Sequence, residues 1–175
     1  GGQGGGHEAL ARALRLLPAT LTPATLFPLP IQYHDLLKDV LKRQCKKCNK
    51  VPMEPGICLL CGTLVCAGNE CCLDESKIGE CTQHAIQCGA GCAPFLLVKQ
   101  CLVFIIRHGA GCRHQTLYLD AYGEEDPYLK RGRPLMLNAE RYARLQQLWC
   151  SHRLHAEVAR ANHRMTHHMT WDSIW

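Results

Sequence analysis

CysLeuLeuCysGly at 58–62 and CysThrGlnHis at 81–84 stand nineteen residues apart. Two intervening residues in each pair let a tight turn aim two side chains at one point, and CxxC followed at this distance by CxxH lies within the range of structural zinc sites. Three thiolates and one imidazole supply the tetrahedral set of soft and borderline donors that zinc prefers, with no open position for a catalytic water. Cys58, Cys61, Cys81 and His84 are therefore expected to hold one structural zinc.

Further donors crowd the same stretch. Cys45 and Cys48 form another CxxC, and with Cys58 and Cys61 they would make a ribbon-type site of their own. Cys66, Cys71, Cys72 and Cys88 are interleaved with the first set and suit a second ion, since alternating pairs can cross-brace two ions. The adjacent Cys71 and Cys72 need not both bind. One zinc is expected, a second is allowed, and the spacing leaves open which pairs share an ion. Ten of the 13 Cys fall between Cys45 and Cys92, among turn formers and few large apolar side chains. A segment so poor in burial needs a cross-link.

The odd cysteine count excludes complete disulfide pairing, and no charged and apolar leader opens the chain, so reduced thiols are expected, in a cytoplasmic and also nuclear setting. The chain starts without Met on a Gly-rich run, which reads as a piece cut from a longer polypeptide. A net charge of +5 is a mild surplus that does not require nucleic acid. No apolar run approaches the ~18 residues of a membrane span.

The fold class expected is α+β: a small zinc-stabilised Cys-rich module with a short antiparallel sheet, flanked by helices and a long C-terminal helix. Residues 1–30 read as a flexible Gly- and Pro-rich lead-in carrying a short amphipathic helix on Leu10, Ala13, Leu14 and Leu17, and the apolar Leu26, Phe27, Leu29 and Ile31 suggest extended chain packed on the domain. Residues 31–175 form the domain proper, with the zinc module at about 45–92, strands at about 94–119 and a C-terminal helix at about 138–168. Tyr33, Leu36, Leu37, Val40 and Leu41 have helical spacing, with Lys42 and Arg43 in the last turn. Phe95–Val98, Leu102–Ile106 and Thr116–Leu119 read as strands. Asn138 is the expected N-cap of the last helix, with Leu137 and Tyr142 as a staple, and Trp171, Ile174 and Trp175 are expected to dock on the domain.

Enzyme chemistry finds little support. His108 and His114, the bases nearest a thiol nucleophile, fall in a Gly-containing loop, and Cys92, Cys101, Cys112 and Cys150 read as small buried hydrophobes. The Arg residues of the second half are interrupted by Glu140 and Glu157, which favours a solvated face over a zinc-ribbon nucleic-acid module.

Several motifs also occur in one collinear order: CysLeuLeuCysGly (58–62), Cys71 with Cys72, CysThrGlnHis (81–84), CysGlyAlaGly (88–91), TyrLeuAspAlaTyrGlyGluGluAsp (118–126), LysArgGlyArgProLeu (130–135), ArgTyr (141–142) and LeuTrp (148–149). Over roughly residues 31–175 the chain resembles the extreme C-terminal region of the UBR-box N-recognin E3 ubiquitin ligases. The resemblance implies a zinc-containing, autoinhibitory or capping region that follows the RING of a very large ligase. Cys58, Cys61, Cys81 and His84, with Cys66, Cys71, Cys72 and Cys88, would be the inherited ligands. Implied partners are other domains of the ligase and, through them, E2, ubiquitin and protein substrates sent for proteasomal degradation, with no membrane. The Cys45–Cys48 pair and the opening 30 residues do not match, and UBR-box and RING signatures are absent from this stretch, so the segment by itself is expected to be non-catalytic.

Overall fold

Two unbroken apolar runs, Ala93–Val98 and Leu102–Ile106, can only be strands if both faces of their sheet are covered. The computed structural model, which describes residues 25–68 and 70–165, shows this arrangement. Strands β3 (Cys92–Leu97) and β4 (Leu102–Arg107) pair antiparallel with Phe95 opposite Phe104, at the centre of a five-stranded sheet. The hairpin β1 (Pro55–Cys58) and β2 (Leu64–Cys66) adds to one side through β1, and β5 (Ala110–His114) to the other, giving the order β2-β1-β3-β4-β5 with every pairing antiparallel. The Cys-rich segment thus supplies two of the five strands, neither of them marked by an apolar run.

Side chains alternate between the faces with period two. Ala93, Phe95 and Leu97 with Leu102, Phe104 and Ile106 meet helix α2 (Glu80–Gly89), where Cys81 and Ala85 complete an apolar layer. Leu96, Val98, Val103 and Ile105 face the other way, onto Leu36 and Val40 of helix α1 (Tyr33–Val40) and the C-terminal helices. Helix α1 stops at Val40, so Leu41 is exposed and Arg43 lies beyond the last turn, reaching Asp39 at 3.4 Å and the Gly62 carbonyl at 3.3 Å. Upstream chain packs as expected at Leu26, which is buried, and at Phe27, whose N–H donates to the Leu59 carbonyl at 2.6 Å, whereas Ile31 is exposed. A two-stranded ribbon of β6 (Tyr118–Leu119) and β7 (Met136–Leu137) closes this side, with Tyr33 and Tyr118 rings edge to face at 4.7 Å.

The single long C-terminal helix is corrected to two, α3 (Ala139–Cys150) and α4 (Leu154–Met165). Asn138 caps the first as expected, accepting from Arg141 N–H at 2.9 Å. It ends in a Schellman turn, in which His152 N–H donates to the Trp149 carbonyl at 2.9 Å and Arg153 N–H to the Leu148 carbonyl at 2.8 Å. His152 takes the left-handed position at φ 54°, where Gly is usual, so no Gly or Pro announced the stop. The break turns α4 back onto the sheet, burying Leu154 and Val158. The helix read at Leu10–Leu17 and the terminal Trp171, Ile174 and Trp175 lie outside the described residues.

Candidate metal centres

The two CxxC pairs fold into the same turn from different residues. Cys58 N–H donates to Thr63 O at 3.0 Å and Gly62 N–H to Cys58 O at 2.8 Å; Cys45 N–H donates to Lys50 O and Asn49 N–H to Cys45 O, both at 2.9 Å. The residue after the second Cys carries the positive φ in each case, 75° at Gly62 and 55° at Asn49, types that tolerate it. In the Cys45–Lys50 turn a donor also approaches sulfur, Lys47 N–H lying 3.3 Å from Cys45 Sγ. Each turn thereby presents two thiols on one side.

The four pairs then combine alternately. Cys45 and Cys48 meet Cys66 and Cys72, while Cys58 and Cys61 meet His84 and Cys88, with all donor atoms of each group within 4.8 Å of one another. Cys45 and Cys72 sulfurs are 3.8 Å apart, as are those of Cys48 and Cys66. A tetrahedral ion with Zn–S bonds near 2.3 Å needs sulfurs about 3.8 Å apart. In the second group Cys61 Sγ is 3.2 Å from His84 Nε2 and Cys58 Sγ 4.0 Å from Cys88 Sγ. The donor chemistry and spacing of both groups fit zinc: four thiols in one, three thiols and an imidazole in the other. Each group can hold a zinc ion with no coordination position left over.

Helix α2 explains which residues converge. On its ten residues, Glu80, His84 and Cys88 recur at i, i+4 and i+8 and share one stripe, while Cys81, Ala85 and Gly89 form the neighbouring stripe that is buried on the sheet. His84 and Cys88 therefore turn to the hairpin thiols. Cys81 does not join them: it packs with Val65, Ala85 and Phe95, and burial pushes its thiol up to about 12, the behaviour of a small neutral hydrophobe. Cys71 also stays outside both groups, exposed, with its sulfur 3.8 Å from that of Cys72. Spacing on a helix was the signal available for the pair His84 and Cys88. Glu80 carried no such signal, yet its carboxylate accepts from Cys66 N–H at 2.7 Å and lies 3.3 and 3.4 Å from Cys45 Sγ.

Charge around the donors is unevenly tuned. The Lys50 backbone N–H holds the Cys48 thiol down to about 7, whereas burial pushes those of Cys58, Cys66, Cys72 and Cys88 up and the His84 imidazole down. A bound divalent cation favours thiolate and neutral imidazole, so metal uptake displaces the thiol protons.

Other groups singled out from the sequence are placed differently. The acidic run Glu124–Asp126 is internally balanced: Arg131 pairs with Glu124, Arg133 reaches the buried Asp120 at 2.9 Å and Arg141 reaches Glu125 at 2.5 Å. His114 ends β5 and lines an open cavity of about 190 Å³ with Cys112, Arg113, Glu157, Arg160 and Ala161. Cys101 and Cys112 are buried as expected, Cys92 is half-buried and Cys150 is exposed. No helix among the described residues is long and apolar enough to cross a membrane.

Comparison with known proteins places the chain in a family. The family described as Proteolysis_6 C-terminal matches residues 7–151. Among curated relatives, E3 ubiquitin-protein ligase UBR3 of Homo sapiens is 40% identical over 146 residues, covering 83% of this chain and 8% of its own length. E3 ubiquitin-protein ligase UBR1 of Mus musculus is 37% identical over 179 residues, covering 97% of this chain and 10% of its own length. E3 ubiquitin-protein ligase UBR2 of Mus musculus is 38% identical over 141 residues, covering 78% and 8%. The chain thus spans a tenth or less of the length of these relatives.

Proposed function

The chain belongs to the Proteolysis_6 C-terminal family, and from that membership and the two donor groups we propose that it is a zinc-stapled regulatory domain of an E3 ubiquitin-protein ligase of the UBR type. Cys45, Cys48, Cys66 and Cys72 hold one zinc; Cys58, Cys61, His84 and Cys88 hold the other. The observation that carries this reading is the alternating assembly of four donor pairs into two complete tetrads, the first of which forms, among the described residues, an apolar cluster made of cysteines. Saturated tetrads act by holding shape, so the domain works as a folded surface within the ligase, docking on its other domains and so modulating substrate capture or E2 positioning in the N-degron pathway of the cytoplasm and nucleus.

Metal analysis with thiol counting tests the first half: two zinc ions per chain and thirteen reduced thiols are expected. A folded, metal-free chain overturns it. Deleting this segment from the full-length ligase tests the second half. Altered ubiquitin transfer or degron binding is expected, and unchanged values for both refute a regulatory role.

A further inference from the structure

Two tetrads in one small domain can fill independently or together, and the elements that connect them determine which. Building on the two-zinc reading, the geometry points to cooperative loading, with Glu80 as the residue that positions one site in response to the other. Helix α2 is the shared element. From its first residue Glu80 grips the four-thiol group by accepting from Cys66 N–H at 2.7 Å, a bond that loss of the thiol protons leaves intact, and one and two turns on, His84 and Cys88 belong to the other group. These residues lie on one stripe about 6 to 12 Å long, so the helix cannot be seated on one group without its other end being placed at the other. Gln83 strengthens the attachment, donating to the Cys72 carbonyl at 3.1 Å and accepting from Lys47 Nζ at 2.6 Å.

The hairpin is shared as well. Cys58 ends β1 and Cys61 lies in the turn, while Cys66, opposite Pro55 in the register, ends β2. Fixing the turn fixes the strand that delivers Cys66 to the other group. The four-thiol group has little else to order it. Its cluster contains Cys45, Cys66 and Cys72 with Cys48 packed against them, whereas Cys58 belongs to the broad apolar layer with Phe95 and Phe104. The three-thiol site is therefore supported by the core and forms the platform, and the four-thiol site borrows order from it through Glu80. By linkage the reverse holds with the same factor: an ion in the four-thiol site seats α2 and tightens the other.

The test uses the whole 175-residue chain stripped of metal, titrated with zinc and weighed by native mass spectrometry. When one ion per chain has been taken up, independent sites of any affinities leave at least about half of the molecules singly loaded, whereas coupling that outweighs the difference between the two sites' own affinities leaves fewer. A singly loaded fraction below half is expected. Glu80→Ala, which keeps all eight donors, should raise that fraction above half and weaken the four-thiol site by about ten- to a hundred-fold, as loss of a supporting hydrogen bond typically does. Cobalt spectra, which distinguish four-sulfur from three-sulfur coordination, identify which site is weakened. Glu80→Gln keeps an acceptor for Cys66 N–H and should retain cooperative loading, a rescue that a general loss of packing would not show. A singly loaded majority in the parent chain overturns coupling of the strength proposed here, one that outweighs the affinity difference between the sites, while leaving both zinc sites standing. Cooperative loading in Glu80→Ala overturns the role of Glu80, and failure to take up any zinc overturns the coupling and the zinc reading together.

Discussion

Gly62 is where the metal-binding turn meets the upstream chain, and Gly62→Ala isolates that contact. A β-carbon there would lie 2.7 Å from Phe27 Cζ and closer still to two other ring carbons, on a backbone at φ +75°. The backbone share is about 1–2 kcal/mol, the general cost of a left-handed conformation for an L-residue. The steric share comes from displacing Phe27, whose half-buried ring gives up part of the 1.5–3 kcal/mol that full burial contributes, about 1–2 kcal/mol. Rotation is restricted because Phe27 N–H is held by the Leu59 carbonyl at 2.6 Å within the same hairpin turn. A total loss of about 2–4 kcal/mol is expected.

The two shares can be separated. Gly123 has φ +77° and nothing within 4 Å of an added β-carbon, so Gly123→Ala reports backbone strain alone. In a Phe27→Ala background, Gly62→Ala should likewise shrink to the backbone share, giving a coupling energy of about 1–2 kcal/mol in the double-mutant cycle. Urea unfolding of the zinc-saturated variants, compared at a common slope, measures all four states. If Gly62→Ala costs no more than Gly123→Ala, or the cycle is additive to within about 0.5 kcal/mol, the packing of Phe27 on the turn is not what restricts this position to glycine.

Four further substitutions probe the donors, the cavity and the helix break. Cys81→Ala should retain both zinc ions and lose only about 1 kcal/mol of packing, whereas Cys88→Ala should bind one ion fewer; metal loss in Cys81→Ala would reinstate the CxxH reading. Burial lowers the His114 imidazole below its ordinary range, with Arg144 and Arg141 adding to the effect and Glu157 opposing it. Its contribution to stability is therefore complete above about pH 6.5 and lost as the pH falls towards its folded-state value. His84 shifts in the same direction, so thermal unfolding of His114→Gln should keep part of the acid sensitivity and lose the rest; an unchanged pH slope would remove His114 from the account. His152→Gly relieves the left-handed strain between α3 and α4 at some cost in unfolded-chain entropy, and should stabilise the domain by about 0.5–1 kcal/mol in the same urea assay, while destabilisation would mean the imidazole makes a contact worth more than the strain.

What could be read from the residues alone follows from how local the determining physics is. Strands β3 and β4 were plain because consecutive apolar residues need no partner to be recognised, and the Asn138 cap because its acceptor lies three residues from its donor. Strands β1, β2 and β5 were not, since PGIC, LVC and AGCRH are too short or too polar to be read alone and become strands by pairing, β1 with the distant β3, β2 with β1 and β5 with β4. The metal groups divide in the same way. Each CxxC turn is a local object, and both pairs were visible from their spacing. Whether Cys58 and Cys61 meet Cys81 or Cys88 depends on where α2 lands on the sheet, which is set by the small side chains Ala85 and Gly89 facing Ala93 and Leu60 across the interface. Once Cys81 is on the buried stripe, helical geometry forces His84 and Cys88 onto the adjacent one. The CxxH spacing at 81–84 thus describes one helix seen on two faces. For such mixed sites, the period of the element that carries the donors is a better guide to ligation than the gap between them.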